Sequence, residues 1–165
     1  MINHKIKIRE AIEEDYKIID SLYRESYQLH FEAIPGTYRK VPLKLLPRGT
    51  YINTLEDKDS AIFVAEVDKK VLGVINITIE EDSGDEVTKP YRRVSVEELS
   101  VAKSSQRQGI GKALMQEAEN WAKKKKITDL TVMVYSFNKQ AIKFYEKNGY
   151  GSYSIRMNKK LKKIK

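Results

Sequence analysis

Gly109 and Gly111 stand one residue apart in the stretch QRQGIGKAL, directly before a run with helical periodicity. Glycines at a strand-to-helix turn let another group approach the backbone closely, and a phosphate at the head of a helix is a frequent visitor. Two well-known phosphate turns fail on counting. A P-loop ending in Gly111 and Lys112 would need a glycine at 106 and a hydroxyl at 113, where the chain has Gln106 and Ala113. A dinucleotide fingerprint starting at Gly109 would need a third glycine where Leu114 stands. A phosphate turn of a third kind, or simply a tight turn, is what the spacing leaves.

The remaining residues with chemical potential are few. There are no cysteines, which removes disulfides, thiolate zinc sites and a cysteine nucleophile. With only His4 and His30, no histidine metal site is expected. Glu97 and Glu98 are adjacent acids on one strand. Strict alternation would put Glu97 on the face of Ser95 and Leu99, and Glu98 on the other. An acidic group, Glu80, Glu81, Asp82, Asp85 and Glu86, reads as a loop that would attract a cation or is simply solvated.

The net charge of +8 suits any polyanion, nucleic acid or small molecule. No arginine–aromatic stripe accompanies it, so a single-strand stacking platform is not visible. The lysine run at 123–126 reads as a solvated helix end, and the tail NKKLKKIK is the other dense basic piece. No apolar run approaches ~20 residues, so no membrane partner is expected. The charged N-terminus reads as a strand, not a leader, and a cytoplasmic location follows from the missing cysteines.

The elements that must position these residues follow from periodicity. Strands are expected at 5–9, 61–67, 71–80, 92–101, 130–134 and 152–157. Helices are expected from Glu13, briefly before Asp57, after Gly109, and from Asn138 to a stop at Asn148 and Gly149. The segment 31–49 is broken by Pro35, Gly36, Pro42, Pro47 and Gly49. Residues 1–165 read as one mixed α/β domain.

In this order, two motifs resemble the GNAT superfamily of acetyl-CoA-dependent N-acetyltransferases. One is [QR]-x-x-G-x-[GA] after an L-x-V strand end, here Gln106, Gly109 and Gly111 after Leu99, Ser100 and Val101. The other is N-x-x-A-x-x-F-Y-x-x-x-G-[FY], here Asn138, Ala141, Phe144, Tyr145, Gly149 and Tyr150. The resemblance is clear over residues 61–157. It implies a mixed, mostly antiparallel sheet of six to seven strands with helices on both faces.

The resemblance also implies an activity: direct transfer of acetyl from acetyl-CoA to a primary amine of a small molecule or peptide, without metal. The turn of Gln106, Arg107, Gln108, Gly109, Ile110, Gly111 and Lys112 would hold the pyrophosphate, with Lys103 also in reach. Leu99, Ser100 and Val101 would meet the thioester through their backbone. Tyr145 would protonate the leaving sulfur, and the same residue is equally a core aromatic by pattern. Asn138 would contact the cofactor, or only cap its helix. Glu97 is the candidate base. Tyr27, His30, Tyr38 and Tyr51 are candidate pocket walls. A homodimer is common in such proteins. A non-catalytic acyl-CoA sensor and a basic nucleic-acid-binding domain are the rival readings.

Overall fold

The structure, a computed structural model, describes residues 5–161, so His4 and the last four residues of the basic tail lie outside it. The chain divides into two compact units, one ending at Met133 and one beginning at Val134.

The first unit is built on one mixed sheet. Its strands are β1 (Lys7–Glu10), β2 (Ser60–Val67), β3 (Lys70–Asp82), β4 (Tyr91–Val101) and β5 (Leu130–Val132), in that spatial order. The first four pair antiparallel and β5 joins β4 in parallel. The β2–β3 hairpin closes through Asp68 and Lys69, both at positive φ (48° and 64°), the backbone a two-residue hairpin turn requires.

Helices α1 (Tyr16–Ala33) and α2 (Arg48–Glu56) cover one face of the sheet. Ile19, Leu22 and Tyr23 of α1 and Tyr51 of α2 pack there on Ile62, Val64 and Val74. Burying a large side chain of this kind stabilises by about 1.5–3 kcal/mol. Helix α3 (Ile110–Lys124) lies on the opposite face. Gly73 makes that approach possible: a Cβ there would stand 2.7 Å from Ile110 Cγ2 and 3.1 Å from Leu114 Cδ1.

The second unit holds α4 (Lys139–Lys147), capped by Asn138, whose side chain accepts the Ala141 amide at 3.0 Å. Gly149, at φ 88°, ends it in the left-handed conformation common after helices.

Two expectations are corrected. The sheet has five strands, not six to seven. Residues 152–157 alternate as a strand should, yet they pair with nothing among the described residues and are exposed throughout. Alternation shows only that a segment suits a sheet; a strand exists through the neighbour that takes its hydrogen bonds. Glu80, Glu81 and Asp82 belong to the end of β3, not to a loop. Glu80 pairs with Arg93 and Glu81 with Arg92 (2.8 and 3.3 Å), while Asp82 and Asp85 cap the backbone of the loop that follows. These acids serve the hairpin.

Candidate active site

The site is built around β4, whose two halves differ. From Val94 to Val96 it is paired on both sides, with β3 and with Leu130–Val132 of β5. Beyond Val96 the ladder to β5 stops while β4 runs on to Val101. The strand edge at 97–101 is therefore left without a ladder partner on the β5 side, among the described residues.

The same place carries an irregularity on the β3 side. Asn76 pairs with Glu98 and Ile77 with Val96, so Glu97 is an extra residue, a β-bulge. Its effect is to reset the alternation. Val94 and Val96 are buried with the α3 side of the sheet, whereas Glu98 and Ser100 share a face with Asn76 and Val74, the face covered by α1. Glu97 is left exposed. The strict alternation expected from sequence, which put Glu97 on one face with Ser95 and Leu99, is broken at this bulge.

Glu98 sits in polar company. Ser100, 5% exposed, donates its hydroxyl to Glu98 Oε1 at 2.5 Å. Burial pushes the Glu98 carboxyl above its ordinary range, while the hydroxyls of Ser100 and Ser26 and the field of His30 pull the other way without prevailing. Across from it, Tyr23 is held above the usual tyrosine value, first by burial and then by the charge of Glu98. The Tyr23 hydroxyl and Asn76 Oδ1 are buried, and neither makes a hydrogen bond of good geometry among the described residues. Buried polar groups in this condition are costly to a fold, and such sites concentrate where a molecule is handled.

Three aromatic side chains stand together nearby on α1 and the loop after it. His30 lies 5.2 Å from Tyr38 and 5.9 Å from Tyr27 by ring centroids, and Tyr27 lies 6.0 Å from Tyr38. His30 Nδ1 is 2.9 Å from the carbonyl of Ser26, one turn back. The loop is tied down by Asp20, 7% exposed, which accepts the amides of Leu45 and Leu46 at 2.8 and 2.7 Å. Tyr16 adds a hydrogen bond to the Leu46 carbonyl at 2.6 Å. Tyr51 is not part of this group: it is 1% exposed and donates to the Ile12 carbonyl, a core residue.

The glycine turn follows directly on β4. A bulge between β2 and β3 leaves Leu72 unpaired in the ladder to β2, and its carbonyl accepts the Ala102 amide at 2.8 Å. A short helical turn, Lys103–Ser105, then leads into exposed Gln106, Arg107 and Gln108. Gln106 donates to the Val101 carbonyl (3.3 Å) and Gln108 to that of Ser104 (3.4 Å), which closes the turn on itself. Arg107 (φ 62°) and Gly109 (φ 88°) are both left-handed. At Gly109 the nearest atom to an added Cβ is 3.8 Å away, so backbone conformation, not space, calls for glycine. The Ala113 amide reaches the Gly109 carbonyl at 3.0 Å, and the amides of Ile110, Gly111 and Lys112 ahead of it are the outward-facing donors of a helix start. Ile110 itself is 1% exposed, so only its backbone can meet a ligand. Arg107, Lys112 and Lys103 are exposed around the turn.

The second motif lies in the second unit. Tyr145, 9% exposed, is its buried residue, with ring contacts to Phe144 (5.2 Å) and Tyr150 (5.5 Å). Asn138 spends its side-chain oxygen on the helix cap. Among the described residues no group of three or more acids and histidines is arranged to hold a metal, and no helix is long and apolar enough to cross a membrane.

A mixed sheet whose β4 parts from β5 after Val96, with a glycine turn opening a helix at the end of β4, is an acetyltransferase architecture. The profile of the Acetyltransferase (GNAT) family matches residues 16–150, and the chain belongs to that family. Solved structures share the fold at low identity. A variant of the BH1408 protein from Bacillus halodurans is 20% identical, with TM-score 0.90 over 94% of this chain and 99% of that one. An aminoglycoside acetyltransferase from an uncultured soil metagenomic sample is 22% identical, with TM-score 0.67 over 95% and 97%. A predicted acetyltransferase from Clostridium acetobutylicum, solved with acetyl-CoA, is 15% identical, with TM-score 0.70 over 93% and 96%.

Proposed function

We propose that this protein transfers the acetyl group of acetyl-CoA directly to a primary amine of a small molecule or peptide. The observation that carries the reading is the splay of β4 beyond Val96, which leaves a strand edge unpaired beside both the glycine turn and Glu98.

The chain's own groups suit that cosubstrate. The amides of Ile110, Gly111 and Lys112, with Arg107, Lys112 and Lys103 around them, suit a pyrophosphate and a further phosphate. When bound, acetyl-CoA supplies an acyl group already activated as a thioester. Backbone donors at 99–101 stabilise charge developing on the acyl oxygen, a task for which side-chain identity is irrelevant. Glu98, not Glu97, takes the proton from the acceptor ammonium, directly or through water; burial raises its pKa and so makes it a stronger base than an exposed carboxylate. Tyr145 returns a proton to the departing sulfur, and Asn138 supports the cofactor beside its capping role. Tyr27, His30 and Tyr38 offer ring faces to a cationic amine on its way to Glu98. The same chemistry appears in the name of one structural neighbour, an aminoglycoside acetyltransferase, which supports an amine acceptor of that general kind.

The test is calorimetric titration with acetyl-CoA, followed by thiol release against a panel of amines. Binding with release is expected. Binding without release from any amine would leave an acyl-CoA sensor, and no binding by folded protein would overturn the reading.

A further inference from the structure

Two buried polar atoms without a partner lie beside Glu98. The Tyr23 hydroxyl and Asn76 Oδ1 are shut off from water, and neither is hydrogen-bonded among the described residues. Tyr23 is 7% exposed, on the face of α1 that packs on the sheet. Asn76 and Glu98 are partners across the β3–β4 ladder, and both are half-buried, so a molecule can reach them. The charge of Glu98 and the side chain of Asn76 both act on the Tyr23 hydroxyl, which places the three groups together. Ser100 and Ser26 serve Glu98 and leave the other two atoms unpaired.

An unpaired buried hydroxyl is costly, and phenylalanine at position 23 would fill the same space without that cost. What would satisfy the pair follows from its donors and acceptors. Asn76 Oδ1 can only accept a hydrogen bond, whereas the Tyr23 phenol has a proton to give. An ammonium would satisfy Asn76 and leave the phenol proton idle. A carboxylate would do the opposite, and the charge of Glu98 would repel it. A hydroxyl donates to Asn76 Oδ1 and accepts from Tyr23 at once.

We infer that Tyr23 and Asn76 bind a hydroxyl group of the acceptor, so that the amine delivered to Glu98 belongs to a vicinal amino alcohol. Ladder partners stand only about 4.5–5.5 Å apart at Cα. Amine and hydroxyl must therefore sit on neighbouring carbons if one is to meet Glu98 and the other Asn76. The role given to Glu98 rests on the acetyl-transfer reading; the hydroxyl site is tested by binding, which does not need turnover.

The probes are phenylethanolamine, a vicinal amino alcohol, and phenethylamine, which lacks only the hydroxyl. Each is titrated by calorimetry into full-length protein with excess coenzyme A, and thiol release from acetyl-CoA is followed in parallel. Wild type should bind phenylethanolamine about tenfold or more tightly than phenethylamine, because a site built for a hydroxyl rejects the analogue without it. Tyr23→Phe and Asn76→Leu should each bring the preference to within about twofold, through weaker binding of phenylethanolamine alone. Tyr23→Phe should also unfold in denaturant at a midpoint no lower than wild type, since the hydroxyl it removes has no partner in the fold. Equal affinities in wild type overturn the inference, as does binding of neither amine. A preference kept by both variants overturns it too, and so does a lowered midpoint for Tyr23→Phe. A preference that depends on Tyr23 and Asn76 but comes without thiol release would uphold the hydroxyl site and strike the acetyl-transfer reading instead.

Discussion

Asp15 and Glu98 are both carboxylates turned away from water, and their surroundings are opposite. Asp15, 6% exposed, receives two hydrogen bonds from the Arg9 guanidinium (2.6 and 2.9 Å) and one from the Ile12 amide (2.9 Å). Burial pushes its pKa up, but the hydrogen bonds and charge of Arg9 outweigh this and hold it below the ordinary value. Arg9 is shared with Glu66 at 3.1 Å, so the group ties β1, β2 and the entry to α1 together. Glu98 has no arginine or lysine in that role. Serine hydroxyls and a histidine face it, and burial wins. A buried acid with a guanidinium fork is a fastener; an acid faced by hydroxyls and a histidine, with no guanidinium, is held ready to change its proton.

Replacing each acid by its amide should separate the two roles. The largest effect is expected for Glu98→Gln: acetyl transfer at neutral pH falls about 100-fold, the size typical of losing a general base. Acetyl-CoA affinity measured by calorimetry stays within about twofold, because the base does not bind the cofactor. Retention of full turnover in this variant would return the base role to Glu97 or to water alone.

Asp15→Asn should do the reverse. It loses about 1.5–3 kcal/mol of stability in denaturant unfolding, since the half-buried Arg9 exchanges a charged acceptor for a weaker neutral one and keeps only Glu66 as an ion-pair partner. Turnover per folded molecule should be unchanged. A turnover loss without a stability loss would erase the distinction drawn here.

Tyr145→Phe sharpens the picture from the other side of the proton balance. Turnover should fall about tenfold or more when chemistry limits the rate, with acetyl-CoA binding retained. Combined with Glu98→Gln, the losses should be less than additive if both act on one proton inventory.

The smallest effect is in the pH dependence of stability. Asp15, depressed on folding, contributes above its unfolded pKa of about 3.9, and this is lost as pH falls through its lower folded value. Glu98 is raised on folding. Its stabilising bias is complete below an unfolded pKa of about 4.3 and is lost as pH rises through the folded value. Glu98→Gln should therefore flatten the decline in stability from pH 4 toward neutrality and narrow or reverse any stability deficit of the variant at pH 7. Unfolding curves at pH 4 and pH 7 would show it.

The glycine turn and α4 were legible because their signals are local. Gly109 answers a backbone conformation, Asn138 a cap, and Gly149 a helix end, each within one turn of chain. The elements from 60 to 101 were legible through alternation. What escaped was every feature that depends on a neighbour across the sheet. The bulge at Glu97 has no local signature: a run of two acids is all the sequence displays, and only pairing with Asn76 and Ile77 shows which one is turned in. Gly73 reads as a weak point in a strand, and only the seating of Ile110 on it explains the residue. Tyr51 and Tyr38 look alike as aromatic candidates; one is a core ring and the other stands with Tyr27 and His30.

The sequence by itself therefore determined the family, the order of elements as far as α4, the glycine turn that opens α3 and the capped helix that carries Tyr145. These rest on short-range rules of backbone conformation and hydrogen bonding. The tertiary structure alone decided that Glu98 and not Glu97 faces the α1 side of the sheet, that β4 parts from β5 after Val96, and that residues 152–157 pair with nothing among the described residues. Register, splay and strand pairing are properties of two chains of atoms side by side, and a one-residue offset reverses which face a side chain occupies.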